Sequence, residues 1–176
     1  MTVAPDLAEP IIAWRSWLVV ETPNGLRLHS TARAQVWPPG EPVTAVCRPP
    51  SRLVPWPRRA PHASPAESCS CGVYAATKLA GALAALDPYA RLGWNIRHRI
   101  IGQVALWGRV IECASGWRAQ HAYPTRLVIP SRRLHDVAVP DVEDMARALE
   151  AYGVPIDITP AGTRKDIAAA LAAVAA

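Results

Sequence analysis

Phenylalanine is absent from the 176 residues, and lysine occurs only twice, at Lys78 and Lys165. Seventeen of the nineteen basic residues are therefore arginine, in a chain where alanine and proline abound. That bias is the mark of GC-rich coding. It points to a high-GC bacterium or its phage, and it discounts the net charge of +5 as a sign of nucleic-acid binding. No apolar run approaches the roughly eighteen residues that a membrane-spanning helix needs. The first ten residues, MTVAPDLAEP, lack the basic segment and apolar core of a secretory signal. The expected compartment is therefore the cytoplasm, with no membrane partner. Nucleotide-dependent and common hydrolase chemistry has no support, because P-loop, GxGxxG, HExxH and GxSxG motifs are all missing. Asp and Glu gather at helix starts, where capping accounts for them, so no paired-carboxylate site is expected. No internal repeat is present.

With 51% hydrophobic and 19% charged residues, the composition is that of a globular chain long enough for a real core. Strand signals dominate the first half. IIAWRSWLVVETPNGLRLHS alternates side chains and turns at Asn24-Gly25, the strongest short-range hairpin signal, since both residues tolerate positive φ. WPPGEP forces a turn, and VTAVC reads as a further strand ending at Cys47. Cys71–Leu86 has the spacing of a helix, with Ser70 as its cap and Asp87-Pro88 as its stop. A second hairpin is expected to reach Cys113, turn at Ala114-Ser115-Gly116 and return through Trp117 to Tyr123. Beyond residue 135, Asp141 and Asp144 occupy capping-box positions. Val142, Met145, Leu149 and Tyr152 share one face, and Gly153 ends the helix. VPIDI is a short strand, and Thr163 with Asp166 caps a last, Ala-rich helix.

The expected fold class is α+β: a small β-barrel or sandwich of about five to seven strands, one packed helix and a helical C-terminal tail. Residues 1–135 form the β-rich domain and 136–176 a helix–strand–helix appendage.

Four cysteines in a reducing compartment read as metal-binding or catalytic before they read as disulfides. Cys47, His62, Cys69 and Cys71 follow one another at gaps of fourteen, six and one residues. Three thiolates and one imidazole make the closed tetrahedral set of structural zinc, and they also suit an iron–sulfur centre. Cys69 and Cys71 face opposite ways if extended, so they share an ion only across a tight turn. The intervening segment, RPPSRLVPWPRRAPH, is rich in proline, and a metal clamping its ends would fix it. Cys113 is an alternative ligand. Against the metal stand two rivals. In one, the strand cysteines are small core hydrophobes. In the other, Cys71, helped by a helix N-terminus, is a nucleophile with His62 as its base.

Two resemblances bear on these readings. SCSCGVYAATKLA resembles, over about eight residues, the D-C-G-V-Y/F segment around the nucleophile of ubiquitin-like-protein proteases, but Ser70 replaces the Asp and His62 is only nine residues upstream. The set His62–Pro65, Cys69–Ala75, Leu106–Val110, Gly116–Ala119 and Ala122–Pro124 is similar to motifs of a family of uncharacterised actinobacterial and actinophage proteins: H-x-[AS]-P, C-x-C-G-[IV]-Y-A, W-G-x-V and G-[WY]-R-A. That resemblance implies one shared fold with its His and Cys set as a unit, and it carries no reaction.

The reading is a metal-stabilised binding or adaptor module, with zinc first and an iron–sulfur cluster second. No enzymatic activity is assigned. The alternatives are a Cys71-dependent enzyme or an Arg-rich nucleic-acid-binding protein. Arg48, Arg52, Arg58 and Arg59 around Trp56 form the partner surface, for a protein first and for nucleic acid as the alternative. The plainer view of that stretch is a solvated, proline-stiffened loop. Of the seven tryptophans, Trp14, Trp107 and Trp117 are expected to fill the core in place of the missing Phe, while Trp37 and Trp56 lie in exposed loops. Glu112 and Arg118 flank the second hairpin turn as structural residues, and Arg109 faces His121 across it.

Overall fold

A computed structural model describes residues 3–4, 9–31, 35–47, 62–84, 96–131 and 141–159, with positions 165, 168, 169 and 171. The strands are β1 (Val3–Ala4), β2 (Ile11–Thr22), β3 (Gly25–Ser30), β4 (Val36–Trp37), β5 (Val43–Thr44), β6 (Val73–Ala76), β7 (Ile96–Cys113), β8 (Gly116–Pro130) and β9 (Ile156–Thr159). Helices α1 (Leu79–Ala84) and α2 (Val142–Leu149) complete the described elements, with a 3-10 turn at Glu150–Tyr152. The architecture is mostly β with few helices, an α+β arrangement.

All nine strands belong to one hydrogen-bonded sheet. Both predicted hairpins form, β2–β3 across Asn24-Gly25 and β7–β8 across Ala114-Ser115. β2 also pairs with β7 over most of its length, from Ile11↔Leu106 to Val20↔Ile96. β6 bonds to both β8 and β2, so the pairings run round four strands, β2–β7–β8–β6 and back to β2.

The main cluster of buried residues lies between these strands. Trp17 and Trp37 are fully enclosed and meet edge to face, with ring centroids 5.5 Å apart. Two indoles thus supply the bulk that Phe would otherwise give. Trp37 was expected on an exposed loop and instead lies 1% exposed on β4, beneath the Arg15 guanidinium at 5.0 Å. Trp14, Trp107 and Trp117 are half-buried rather than central. Arg109 does not face His121: Trp107 pairs with it and stacks on it, while Thr44 bonds its ring.

The helix expected over Cys71–Leu86 is corrected. Val73–Ala76 is a strand, and the helix begins only at Leu79. The local alternation explains this: Val73 and Ala75 face inward while Tyr74 faces out. The backbone of Ala75 and Ala76 lies directly on Gly116 in β8, where any side chain would collide with the Ala75 carbonyl. Cross-strand pairing at that close approach outweighs the helical preference of an alanine run. Leu86 and Asp87-Pro88 lie outside the described residues. VTAVC pairs as a strand only at Val43–Thr44, and Cys47 ends an extended segment that continues it.

Toward the C-terminus the capping signals are realised. The Asp141 carboxylate accepts from the Glu143 and Asp144 backbone N–H groups, Met145, Leu149 and Tyr152 are buried, and Gly153 adopts φ 67°. β9 adds to β8 in parallel, from Leu127↔Ile156 to Pro130↔Thr159. The Tyr152 hydroxyl donates to the Trp37 carbonyl at 2.6 Å and accepts from the Leu28 N–H at 2.9 Å, tying this segment to β3 and β4. Leu171, of the last expected helix, packs with Ala82, Leu83, Ile101 and Val128, whereas Thr163 and Asp166 lie outside the described residues. Among the described residues no helix is long and apolar enough to cross a membrane.

Candidate metal centre

The sheet brings three short segments to one place. β5 pairs with β8 at Val43↔Ala122 and Thr44↔His121, and the Ala45 N–H continues to the Gln120 carbonyl at 2.7 Å, which delivers Cys47. β6 pairs with β8 at Val73↔Ala119, which fixes Cys71 two residues before it. Between them, residues 62–72 fold back on themselves. A turn closes with the Cys69 N–H on the Ala66 carbonyl at 3.1 Å, and the Cys71 N–H is directed at the Cys69 sulfur, so Cys69 and Cys71 reach the same side.

Cys47, His62, Cys69 and Cys71 converge, with one ligand atom from each lying within 4.8 Å of all the others. Cys47 Sγ and Cys69 Sγ are 3.7 Å apart, and His62 Nε2 is 3.4 Å from Cys71 Sγ. A tetrahedral ion with bonds of about 2.3 Å to sulfur and about 2.0 Å to nitrogen sets edges of roughly 3.8 Å and 3.5 Å. These two contacts match those edges, and all four ligand atoms lie within 4.8 Å of one another, close enough for one ion. Clusters of several irons distribute their protein ligands over different metal atoms, which spreads the ligands further. All four cysteines are free thiols. Cys71 is fully buried, while Cys47, His62 and Cys69 are partly exposed.

The thiols differ in acidity. The Cys71 backbone N–H, directed at the Cys69 sulfur, is the main reason that thiol falls to about 6, well below its ordinary 9.0. Burial opposes a charge on Cys71, but hydrogen bonds from Ser64, His62 and the Ala66 backbone together hold it below its ordinary value. The buried Ser64 hydroxyl itself has no hydrogen-bond partner among the described residues, so the His62 contact at 3.4 Å is the firmer of these pulls. Cys47 moves the other way, up to about 11, first through desolvation and then through the neighbouring Cys69 and Cys71. Cys69 and Cys71 are thus the more acidic thiols, while desolvation first and these two neighbours second hold the proton on Cys47. A divalent cation would offset the neighbours' share of that resistance.

Cys113, weighed as an alternative ligand, is not in this group: its sulfur accepts from Arg118 Nε at 3.2 Å. The helix-dipole argument for Cys71 also falls, because the residue precedes a strand. Sequence reasoning placed Arg118 at the hairpin turn as a structural residue. It is in fact a neighbour of the site. Its Nη1 reaches the carbonyls of Ala66 at 3.3 Å and Cys71 at 3.2 Å, and also that of Cys69. A shallow hollow of about 410 Å³, lined by Glu67, Ser68, Cys69, Ser70 and Arg118, opens beside the Cys69 ligand. Arg48, Arg52, Trp56, Arg58 and Arg59 lie outside the described residues.

No protein-family model matches the chain, and no curated protein or solved structure does either. The site stands on its geometry.

Proposed function

We propose that this protein is a metal-stabilised binding or adaptor module in which Cys47, His62, Cys69 and Cys71 hold one zinc ion. The observation that carries the reading is the convergence of three sulfurs and one imidazole nitrogen within 4.8 Å. Such a set closes the coordination shell with protein ligands, which is the pattern of structural rather than catalytic zinc. The ion would join the end of the β5 segment to the start of β6 and hold together the two flanks of residues 48–61. Arg48, Arg52, Trp56, Arg58 and Arg59 in that segment are then the partner-binding surface, for a protein first and nucleic acid second. The ring of pairings through β2, β7, β8 and β6 supports reading the sheet as a small barrel. A reducing cytoplasm and kinship with the actinobacterial and actinophage group complete the proposal.

The second reading is a cysteine-dependent enzyme, favoured by the 3.4 Å contact between His62 and Cys71. Against it, the Cys71 sulfur is enclosed, and an enzyme leaves Cys47 and Cys69 unexplained.

The test is elemental analysis with an absorption spectrum, on protein purified without added metal and without oxygen. One equivalent of colourless zinc is expected. Cys113→Ser should keep it, and Cys47→Ser, Cys69→Ser and Cys71→Ser should each lose most of it. Iron with acid-labile sulfide would replace zinc by a cluster. Four reactive thiols and no metal would overturn the proposal.

A further inference from the structure

Arg118 lies on β8 opposite Tyr74 of β6 and is only 8% exposed. Its guanidinium meets no carboxylate in an ion pair among the described residues. Nη1 instead faces three carbonyls, of Ala66, Cys69 and Cys71, and Nε faces the Cys113 sulfur. Two of those carbonyls belong to Cys69 and Cys71, and the third, of Ala66, closes the turn that leads into Cys69. A turn whose carbonyls curl round one buried cation needs that cation to hold its shape, because carbonyl dipoles pointing at one another repel. A buried guanidinium in turn needs negative charge close by.

The charge of the filled centre supplies it. Three thiolates and a neutral imidazole around a divalent ion leave one net negative charge, which one guanidinium balances. Around a trivalent ion the centre is neutral and the buried arginine stays uncompensated. We propose that Arg118 is the positioning and specificity-determining residue of this site: it shapes the Ala66–Cys71 turn before metal arrives and biases the centre toward divalent ions. The inference rests on the metal reading above.

The experiment compares wild type, Arg118→Lys and Arg118→Gln, each loaded separately with zinc and with ferrous iron. Lys keeps the charge and loses the planar fork, whereas Gln loses the charge. Zinc affinity, measured by competition with a chromophoric chelator, should fall by about 10- to 100-fold in both variants, the usual effect of removing a group that orients metal ligands. The midpoint potential of the iron-loaded protein should fall in Arg118→Gln, which no longer favours the more negative ferrous centre, and stay near wild type in Arg118→Lys. Unchanged zinc affinity in both variants would overturn the positioning role, and equal potentials would overturn the charge role. Refusal of ferrous iron by a zinc-binding wild type would likewise count against selection by charge. If wild type binds no metal, the metal reading fails and takes this inference with it. If the variants do not fold, exchange of the Arg118 Nε–H in wild type decides: it should be slow both before and after zinc is added, and slowing only after zinc would overturn the preformed turn.

Discussion

Gly72 follows the buried ligand Cys71 and takes φ +117°, a backbone region that L side chains rarely adopt. A Cβ built there would lie 3.0 Å from Pro65 Cβ and 3.0 Å from Arg118 Cβ. Neither neighbour is the far end of a flexible chain. Each is fixed to backbone, so relief requires the 62–72 loop to move away from β8. Gly153 is the internal control: its φ is +67°, and nothing lies within 4 Å of the added carbon. Gly153→Ala should therefore cost only the backbone term, about 1–2 kcal/mol. Gly72→Ala carries that term and an overpacking term of about 1–3 kcal/mol, together about 2–5 kcal/mol. In urea, with a slope near 2 kcal/mol/M, that is a midpoint drop of about 1–2.5 M. The measurement is equilibrium unfolding of both variants beside wild type, with zinc titrated afterwards into each. Because the displaced atoms belong to the metal-site loop and to Arg118, zinc affinity should fall in Gly72→Ala and hold in Gly153→Ala. Equal destabilisation by the two substitutions would refute the packing argument. A large stability loss with unchanged zinc affinity would separate Gly72 from the site.

Three further outcomes are expected. Tyr152→Phe preserves the ring but strands the Leu28 N–H and the Trp37 carbonyl, so thermal or urea unfolding should show a loss of about 1–3 kcal/mol, with metal content unchanged; wild-type stability would show that water or relaxation replaces both bonds. In metal-free protein near neutral pH, iodoacetamide should label Cys69 first, because its thiol is held near 6 and is partly exposed, while Cys47 is held up near 11 and Cys71 is enclosed. The same values set the sign of the pH dependence: between about 6 and 9 the unfolded chain binds the extra Cys69 proton, so metal-free stability rises with pH there, and above 9 the raised Cys47 thiol reverses the trend. Uniform labelling, or stability flat across that window, would contradict the assigned acidities.

What the sequence made legible follows the range of the forces involved. Asn24-Gly25 and Ala114-Ser115-Gly116 encode their turns within a few residues, and both hairpins were readable there. Asp141 likewise states the start of α2, and Gly153 the end of the 3-10 turn that follows it, in local chemistry. The candidate set Cys47, His62, Cys69 and Cys71 was readable as a group because Cys and His carry their metal-binding chemistry in their own atoms, whatever the fold around them. Cys71–Leu86 misled because alanine suits a helix locally, while the strand at Val73–Ala76 depends on Gly116, forty residues away in β8. Trp37 misled for the same reason. Its neighbouring prolines mark a loop, but its ring is received by Trp17 and Arg15 from β2.

Arg118 shows why a long-range register can matter more to a site than the ligands' own spacing. In the sequence it is a charge beside a turn, and nothing in its surroundings points to Cys69 or Cys71. The register Tyr74↔Arg118 alone carries it beneath the ligand loop, and a one-residue slip would turn the guanidinium to the opposite face. The same strand, through Thr44↔His121, sets the height at which Cys47 arrives. β8 thus fixes the position of both halves of the centre. Cys47 and His62 flank fourteen residues, and bringing such ends together costs about 2 kcal/mol in closure entropy beyond a constant. Structural zinc contributes about 10–16 kcal/mol in small domains, so one ion, if bound, would offset that closure with margin left for stability. That is the physical reason to look for the metal first and for the segment's partner afterwards.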